Sequence, residues 1–165
     1  MTELGQEQKI KLTNLFKKNK FSDLEFEIES ISNFKTRSAF LANLLGVVKL
    51  KKPSVTKTDL EKARELFKDS YEKDPNNIDA LCNWGQLSLK LRNFNYVFKE
   101  LKRLKEEKGY NKKIYETLAK IFFFNNQIED ALTLYKKMAD REDLSKDASA
   151  NFFCSLNYSS KFNQT

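Results

Sequence analysis

The chain has 165 residues, of which 30 are lysine or arginine and 23 are aspartate or glutamate, so its net charge is +7. It contains no histidine, which excludes a Ser-His-Asp or Cys-His nucleophile and a histidine-ligated zinc site. The positive charge would suit a nucleic acid or an acidic partner. Only five of the 30 basic residues are arginine, whereas bidentate recognition of phosphate favours arginine, so we expect no nucleic-acid partner.

The cysteines and the apolar stretches indicate where in the cell the protein resides. Cys82 and Cys154 are far apart in the sequence and form no CxxC motif, which favours reduced thiols in a cytoplasmic protein. The first residues, MTELGQEQKIK, lack the apolar core of a signal peptide. The longest apolar stretch, residues 39–48, is shorter than the about 20 residues that span a bilayer, so we expect no membrane partner.

Helical periodicity begins at residue 6. Residues 6–18 predict a first helix whose inner face carries Ile10, Leu12, Leu15 and Phe16. Asn19 and Lys20 predict a turn, and Ser22 followed by Glu25 predicts a capping box at the start of a second helix. Alternate residues of a helix point about 200° apart, so we expect the acidic run of this second helix on a solvated face rather than in one site. That run comprises Glu25, Glu27 and Glu29.

Residues 38–50 form the most apolar of the predicted helices. Gly46 lies in its middle at a cost of roughly 1 kcal/mol relative to alanine, which indicates that another helix approaches closely there. On this interpretation alanine at position 46 should be tolerated, whereas leucine should destabilise the fold. Pro53 is expected to stop the helix, and Thr58 followed by Glu61 predicts a second capping box.

The next pair of helices is predicted over residues 78–91 and 95–108. The first of the two carries the only tryptophan, Trp84, beside Gly85, which we interpret as packing between helices. The second mixes basic and acidic residues closely, which favours ion pairs on a wet surface over a stripe that binds nucleic acid.

Two short helical patterns lie back to back in residues 111–138, with Asn125 and Asn126 between them. Their apolar stripes recur at steps of three and four residues and comprise Tyr115, Leu118, Ala119, Phe122, Ala131, Tyr135 and Met138. A charged segment follows. A last helical pattern covers residues 147–158, in which Phe153 should cover the exposed end of the preceding pair.

These patterns repeat along the chain with a period of about 34 residues, which is typical of helical repeat proteins. Ala119 lies one such period after Gly85, whereas the step from Gly46 to Gly85 is longer by five residues. The five extra residues fit at residues 53–57. We interpret them as tolerated loop variation rather than a binding loop, because a slightly longer loop costs only about a few tenths of a kcal/mol.

At these positions the chain resembles the tetratricopeptide repeat family. The matching residues are Asn43-Leu44-Leu45-Gly46, Ala63, Phe67 and Asp74-Pro75 in the second repeat, and the apolar stripes of residues 115–135 in the fourth. The resemblance implies an all-α superhelix of about four helix-turn-helix units plus a C-terminal capping helix. The repeats are predicted over residues 1–145, and the capping helix with the start of a possible downstream domain over 146–165. The four repeats cover about 5–38, 39–77 with the insertion, 78–111 and 112–145.

The resemblance also implies that the first helices line a concave groove. Its predicted binding residues are Phe40, Asn43, Val47, Lys51, Asn83, Gln86, Lys90, Glu116, Lys120 and Phe124. Amide, lysine and aromatic side chains suit an extended peptide, whose backbone needs hydrogen bonds and whose side chains need shallow pockets. We therefore predict a protein-interaction scaffold with an acidic protein or peptide partner. We expect no catalytic residue, cofactor or metal in this chain.

The sequence leaves two other functions open. Asn83 and the segment Ser155–Tyr158 are similar to the repeats that lead into bacterial O-linked N-acetylglucosamine transferases. This alternative makes the chain the non-catalytic, substrate-recruiting N-terminal region of a glycosyltransferase, or of a sulfotransferase, whose catalytic domain the chain lacks. An RNA-reading repeat would place the same side chains at one phase of every unit. Asn43, Cys82 and Glu116 occupy the same position in successive repeats but have no chemistry in common. RNA binding is therefore the least favoured of the three functions.

Overall fold

The computed structural model describes residues 5–31 and 38–159. These described residues form nine α-helices and no strand, which confirms the all-helical prediction. They divide into two compact units, with the boundary between Leu87 and Ser88. Residues 160–165, which the predicted capping segment includes, lie outside the described residues. The helices are α1 (Gln6–Lys17), α2 (Phe21–Ile31), α3 (Ala39–Lys49), α4 (Lys57–Lys73), α5 (Ile78–Lys90), α6 (Asn95–Lys108), α7 (Lys112–Phe124), α8 (Ile128–Ala139) and α9 (Lys146–Tyr158).

In the N-terminal unit, α1 to α4 share one apolar core. Its buried members are Leu12, Leu24, Ile28, Leu41, Leu45, Val48 and Leu66. Full burial of each such side chain contributes about 1.5–3 kcal/mol. Trp84 of α5 is also buried and lies 6.3 Å from the Tyr71 ring of α4, so its interpretation as a packing residue is confirmed.

One apolar residue of α1 is not in this core. Ile10 is 57% exposed, so its predicted place on the inner face is wrong. The inner face instead runs through Leu12, Leu15 and Phe16, which follow one another at steps of three and one. Ile10 precedes Leu12 by two residues and therefore points about 200° away from it.

The first turns of two helices differ from their predictions. α2 begins at Phe21 and the Leu24 amide donates to the Lys20 carbonyl, so Ser22 is inside the helix and its predicted capping box is wrong. A capping box does begin α4, but its members are Thr56 and Asp59 rather than Thr58 and Glu61. Hydrogen bonds from the Thr56 hydroxyl and amide, and from Lys52, lower the pKa of Asp59 to about 2.

Four helices end with the same turn. Asn19, Arg92, Asn126 and Glu142 have φ between 54° and 59°. In each case the next amide donates to the carbonyl five residues before it, at 2.8–3.0 Å. This is the Schellman arrangement, in which one left-handed residue lets two free carbonyls of the last turn find donors.

Of the helices that open a pair, α1, α5 and α7 end with this turn and α3 does not, and we attribute the difference to a proline. Asn126 lies one repeat period after Arg92, and Pro53 lies one repeat period after Asn19. The proline ring keeps φ negative, so Pro53 cannot supply the left-handed residue. α3 ends at Lys49, four residues before Pro53, and a longer segment leads to the cap at Thr56. The inserted residues therefore replace the tight turn that the other pairs use.

Gly46 provides the close contact between α3 and α4. A Cβ added at this position would lie 2.6 Å from Cε1 and 2.9 Å from Cδ1 of the Phe67 ring. Phe67 is only 1% exposed, so its ring is enclosed on its other sides. The predicted close approach is thus observed, and the short distances favour destabilisation by alanine at position 46 over the tolerance expected from the sequence.

In the C-terminal unit, α9 packs against α7 and α8. Phe152 lies 6.2 Å from the Tyr135 ring of α8. Both ends of α9 are also held by hydroxyls, because Ser145 donates to Glu116 at 2.9 Å and Ser159 donates to Glu129 at 2.6 Å. The prediction that Phe153 covers this surface is wrong, because Phe153 is 65% exposed and Phe152 covers it instead.

Ion pairs connect the helices of the N-terminal unit. Lys49 of α3 contacts both Glu25 and Glu29 of α2, and Lys52 lies 3.2 Å from Asp59. Burial lowers the pKa of Lys49, but the hydrogen bonds and charges of Glu25 and Glu29 outweigh it, so the pKa is raised. The expectation that these carboxylates only face solvent is therefore wrong. They are four residues apart and so lie on one side of α2.

The basic helix α6 behaves as its sequence indicates. Arg103 lies 2.9 Å from Glu100 and 2.6 Å from Glu107, one turn away on either side. Lys105 pairs with Glu106 at 2.8 Å. These are intrahelical ion pairs of partly exposed side chains, as predicted for this helix.

Replacing Gly46 with alanine should destabilise the protein. We expect a net loss of about 1 kcal/mol or more in the free energy of unfolding, because overpacking against Phe67 exceeds the gain in helix propensity. Urea unfolding measures this loss. The matched test repeats Gly46→Ala in a Phe67→Leu background, where the loss should become smaller. An equal loss in both backgrounds would mean that the ring does not cause it.

Arg92→Gly should stabilise the protein by up to about 1 kcal/mol, because a left-handed residue other than glycine costs about 1–2 kcal/mol and glycine removes that cost. Arg92→Ala retains the strain and loses the same side chain, so it should stay within about 0.5 kcal/mol of the wild type. Thermal or urea unfolding of both variants checks this. Equal stabilisation by both would show that strain at position 92 is not the reason.

Candidate functional site

The ten predicted binding residues lie in both units. The N-terminal unit holds Phe40, Asn43, Val47 and Lys51 on or just after α3, and Asn83 and Gln86 on α5. The C-terminal unit holds Lys90 at the end of α5, and Glu116, Lys120 and Phe124 on α7.

An amide hydrogen bond joins the predicted residues of the N-terminal unit. Asn83 Nδ2 donates to Asn43 Oδ1 at 3.2 Å, which brings α3 and α5 together at this point. Phe40, Asn43 and Val47 are three and four residues apart and therefore share one side of α3. Gln86 lies one turn after Asn83. We call these five residues the α3–α5 face.

The amide pair leaves polar atoms available for a ligand. A side-chain amide has two donor hydrogens and an acceptor oxygen. Their mutual hydrogen bond uses the Asn43 oxygen and one Asn83 hydrogen, so it leaves the Asn43 donors and the Asn83 oxygen unused. Both residues are half-buried, and Phe40 beside them is 46% exposed. The face thus presents a donor, an acceptor and an aromatic surface within about one helical turn.

The C-terminal unit differs because the two charged residues predicted on α7, Glu116 and Lys120, pair with each other. Lys120 Nζ lies 2.9 Å from Glu116 Oε1, and the Ser145 hydroxyl donates to the same oxygen at 2.9 Å. The Lys120 and Glu116 side chains are each only 17% exposed. Phe124, one turn after Lys120, is exposed, and its ring lies 5.4 Å from that of Phe123. Lys120 therefore serves first to neutralise Glu116.

Sequence reasoning missed the role of Ser145. It caps α9 and is 29 residues from Glu116, so no local pattern relates the two. The spacing of four residues between Glu116 and Lys120 was the available signal, because residues at that spacing adjoin on a helix.

A second polar cluster joins two loops of the C-terminal unit. The Tyr110 hydroxyl donates to Asp143 Oδ2 at 2.7 Å, and Lys112 lies 2.8 Å from Oδ1. The Arg141 guanidinium lies over the Tyr110 ring at 4.4 Å. Burial, with the hydrogen bond to Asp143, raises the pKa of Tyr110 to about 12. The charged groups of this cluster are matched by one another, so we interpret it as a structural link between the loops.

Three further observations concern metal ligands, membrane-spanning helices and the cysteines. Among the described residues, no three cysteine, aspartate or glutamate side chains are grouped so that they could hold a metal ion. No helix in this part of the chain has the length and apolar character needed to cross a bilayer. Cys82 is buried and Cys154 is exposed, and no disulfide joins them.

Lys120→Met should lower the free energy of unfolding by about 1 kcal/mol, because Glu116 would remain half-buried without its cation. Methionine keeps the apolar stem, so the loss reports on the charge. Lys90 is exposed, and Lys90→Met should stay within about 0.5 kcal/mol of the wild type. Urea unfolding of both variants measures the difference, and equal stabilities would mean that the Glu116 pair contributes nothing.

The chain is similar to known proteins in structure alone. No protein-family model matches the chain, and no curated protein matches it. Solved structures do match. MamA of AMB-1 superposes with a TM-score of 0.70 at 14% identity, over 96% of this chain and 84% of that one. YrrB superposes with a TM-score of 0.70 at 14% identity, over 93% and 76%. MamA from Desulfovibrio magneticus RS-1 superposes with a TM-score of 0.63 at 13% identity, over 97% and 98%.

These matches concern the fold. Identities of 13–14% carry no argument about activity, but the superpositions cover more than nine-tenths of this chain. YrrB is described as a TPR protein. The chain therefore has the all-helical fold of tetratricopeptide-like repeats.

Proposed function

We propose that this chain is a protein-interaction scaffold that binds an extended segment of another protein on the α3–α5 face. The hydrogen-bonded pair of Asn43 and Asn83 is the observation that carries the proposal. An extended segment has no internal hydrogen bonds, so its carbonyl and N–H groups need partners from the protein that binds it. The free Asn43 donors and the Asn83 oxygen match one such carbonyl and one such N–H.

The surroundings of the amide pair suit the side chains of such a ligand. Phe40 and Val47 flank Asn43 on α3 and offer exposed and half-buried apolar surface. Gln86 adds a further exposed amide. A ligand would thus be held by several modest contacts along its length rather than by one deep pocket.

The fold likeness supports the same function. YrrB, whose structure superposes on this chain with a TM-score of 0.70, is described as having an unusual peptide-binding site. A repeat fold offers a long surface of stacked helices, which fits an extended ligand better than a compact one.

The proposed ligand is acidic. The net charge of +7 supports this preference, as do Lys51 and Lys90, which are exposed and have no ion-pair partner within the described residues. Lys120 attracts an acidic ligand less strongly than its predicted place in the groove suggests, because its charge is already paired with Glu116. We therefore assign the attraction of an acidic ligand to the net positive charge and, in the unit that carries the α3–α5 face, to Lys51.

The glycosyltransferase or sulfotransferase alternative stays a prediction, and no contact among the described residues favours it over a scaffold. The expected absence of catalysis by this chain, and its cytoplasmic location, likewise stay predictions.

Peptides selected from a library on the purified chain should lose affinity when the amide pair is altered. We expect Asn43→Ala and Asn83→Ala each to weaken binding about three- to tenfold, because each removes a hydrogen bond of about 0.5–1.5 kcal/mol. Fluorescence anisotropy of a labelled peptide measures the change.

The matched control for the amide pair is Asn14→Ala, which removes an exposed amide from α1 of the same unit and should leave affinity unchanged. Circular dichroism should show equal helix content in all three variants. Affinity should also fall as salt is raised from about 0.05 to 0.5 M, since screening weakens exposed charges. Equal effects of all three substitutions would refute the α3–α5 face, whereas salt-independent binding would refute only the acidic preference.

A further inference from the structure

The side of α3 that belongs to the α3–α5 face continues beyond the end of the helix. Phe40 lies in the first turn of α3, and Asn43 and Val47 follow it at steps of three and four residues. Lys51 comes four residues after Val47, and its amide donates to the Val48 carbonyl at 3.0 Å, so the helical turn continues to it. From Phe40 to Lys51 the backbone makes about three turns, which keeps both on one side and about 16 Å apart along the axis.

The two ends of this side differ in chemistry. Phe40 is exposed and offers an aromatic ring. Lys51 is exposed and has no ion-pair partner within the described residues. Between them lie the Asn43 and Asn83 amides, and the exposed amide of Gln86 follows Asn83 by one turn of α5. The side therefore offers apolar surface at one end, hydrogen-bonding groups in the middle and a positive charge at the other end.

An extended segment has a repeat that can be compared with these distances. Its residues are about 3.3 Å apart and alternate side chains point the same way, so side chains on one side recur about every 6.6 Å. Two such side chains are about 13 Å apart when they are four positions apart, and about 20 Å apart when they are six positions apart. These values lie on either side of the distance between Phe40 and Lys51.

The direction of helical side chains favours the shorter spacing. Side chains of a helix slant toward its N-terminus, and the long lysine stem extends farther in that direction than a phenylalanine ring. The Lys51 ammonium group is therefore nearer to the Phe40 ring than the separation along the axis indicates.

Resting on the proposed function, we infer that the α3–α5 face selects segments in which a large apolar residue and an acidic residue are four positions apart. The apolar side chain packs on the Phe40 ring, and the carboxylate pairs with Lys51. The residue next to the apolar one accepts a hydrogen bond from the Asn43 amide and donates its N–H to the Asn83 oxygen, because the N–H and C=O groups of one extended residue point the same way.

Selection of random peptides on the purified chain tests this spacing. Enriched peptides should carry an acidic residue four positions from a large apolar residue more often than at any other spacing. In a selected peptide, replacing that acidic residue with its amide should weaken binding about two- to fivefold, which is the effect of an exposed ion pair. Fluorescence anisotropy of the labelled peptides measures the affinities.

Charge reversal at position 51 tests the assigned partner. Lys51→Glu should weaken binding of the acidic peptide at least about threefold, and lysine in place of the peptide's acidic residue should restore it. Lys62→Glu is the matched control, since it makes the same change at an exposed lysine of α4 in the same unit and should leave the preference for an acidic residue intact. Circular dichroism verifies that both variants keep their helices.

The possible outcomes separate this inference from the proposed function. Selected peptides without a preferred spacing, or equal effects of Lys51→Glu and Lys62→Glu, would overturn the inference. The proposed function would stand in that case if Asn43→Ala still weakened binding. An unchanged affinity in Asn43→Ala would refute the proposed function itself, and a library that yields no binder would overturn both.

Discussion

Close contact between paired helices is the constraint on which the rest of the structure depends. In the pair α3 and α4, the Phe67 ring occupies the space that a side chain at position 46 would need. In the pair α7 and α8, Ala119 and Ala131 are both fully buried. Small residues at these positions let the larger apolar side chains of each pair interlock. The polar side chains of α3 and α7 therefore lie away from the side that contacts the paired helix, where a ligand could reach them.

The turns follow from the same requirement. Two helices that approach closely need a short connection, and a Schellman turn closed by one left-handed residue supplies it after α1, α5 and α7. Pro53 occupies the corresponding place after α3 and prevents that turn. The insertion and the Thr56 cap form a different connection, and the pair still closes because Gly46 and Phe67 determine the contact.

The predicted binding residues of the two units differ in how completely their polar groups are paired, and this difference affects which of them can bind a ligand. In the C-terminal unit, Glu116 is bound by both Lys120 and Ser145, so these groups mainly stabilise the fold. In the N-terminal unit, Asn43 and Asn83 bind each other but keep a donor and an acceptor for a third group. The proposed binding face therefore depends on incomplete pairing, because a fully matched polar group has nothing left to offer a ligand.

The sequence by itself determined the helices, their repeat period, the insertion and the close approach at Gly46. Each of these depends on residues within one or two turns, or on a repeated pattern, and such signals survive in a single sequence. The resemblance to tetratricopeptide repeats also predicted Asn43, Asn83 and Phe40 as members of one face, because the first helices of such repeats line one groove.

Only the tertiary structure decided which of the polar residues are already bound. Ser145 meets Glu116 from 29 residues away, and Lys49 meets Glu25 from 24 residues away. It also decided that Phe152 rather than Phe153 faces α8, and that Ile10 faces solvent. The physical reason is the same in each case. A rotation of one residue about a helix axis is about 100°, which exchanges a buried side chain for an exposed one, and only the neighbouring helices set that rotation.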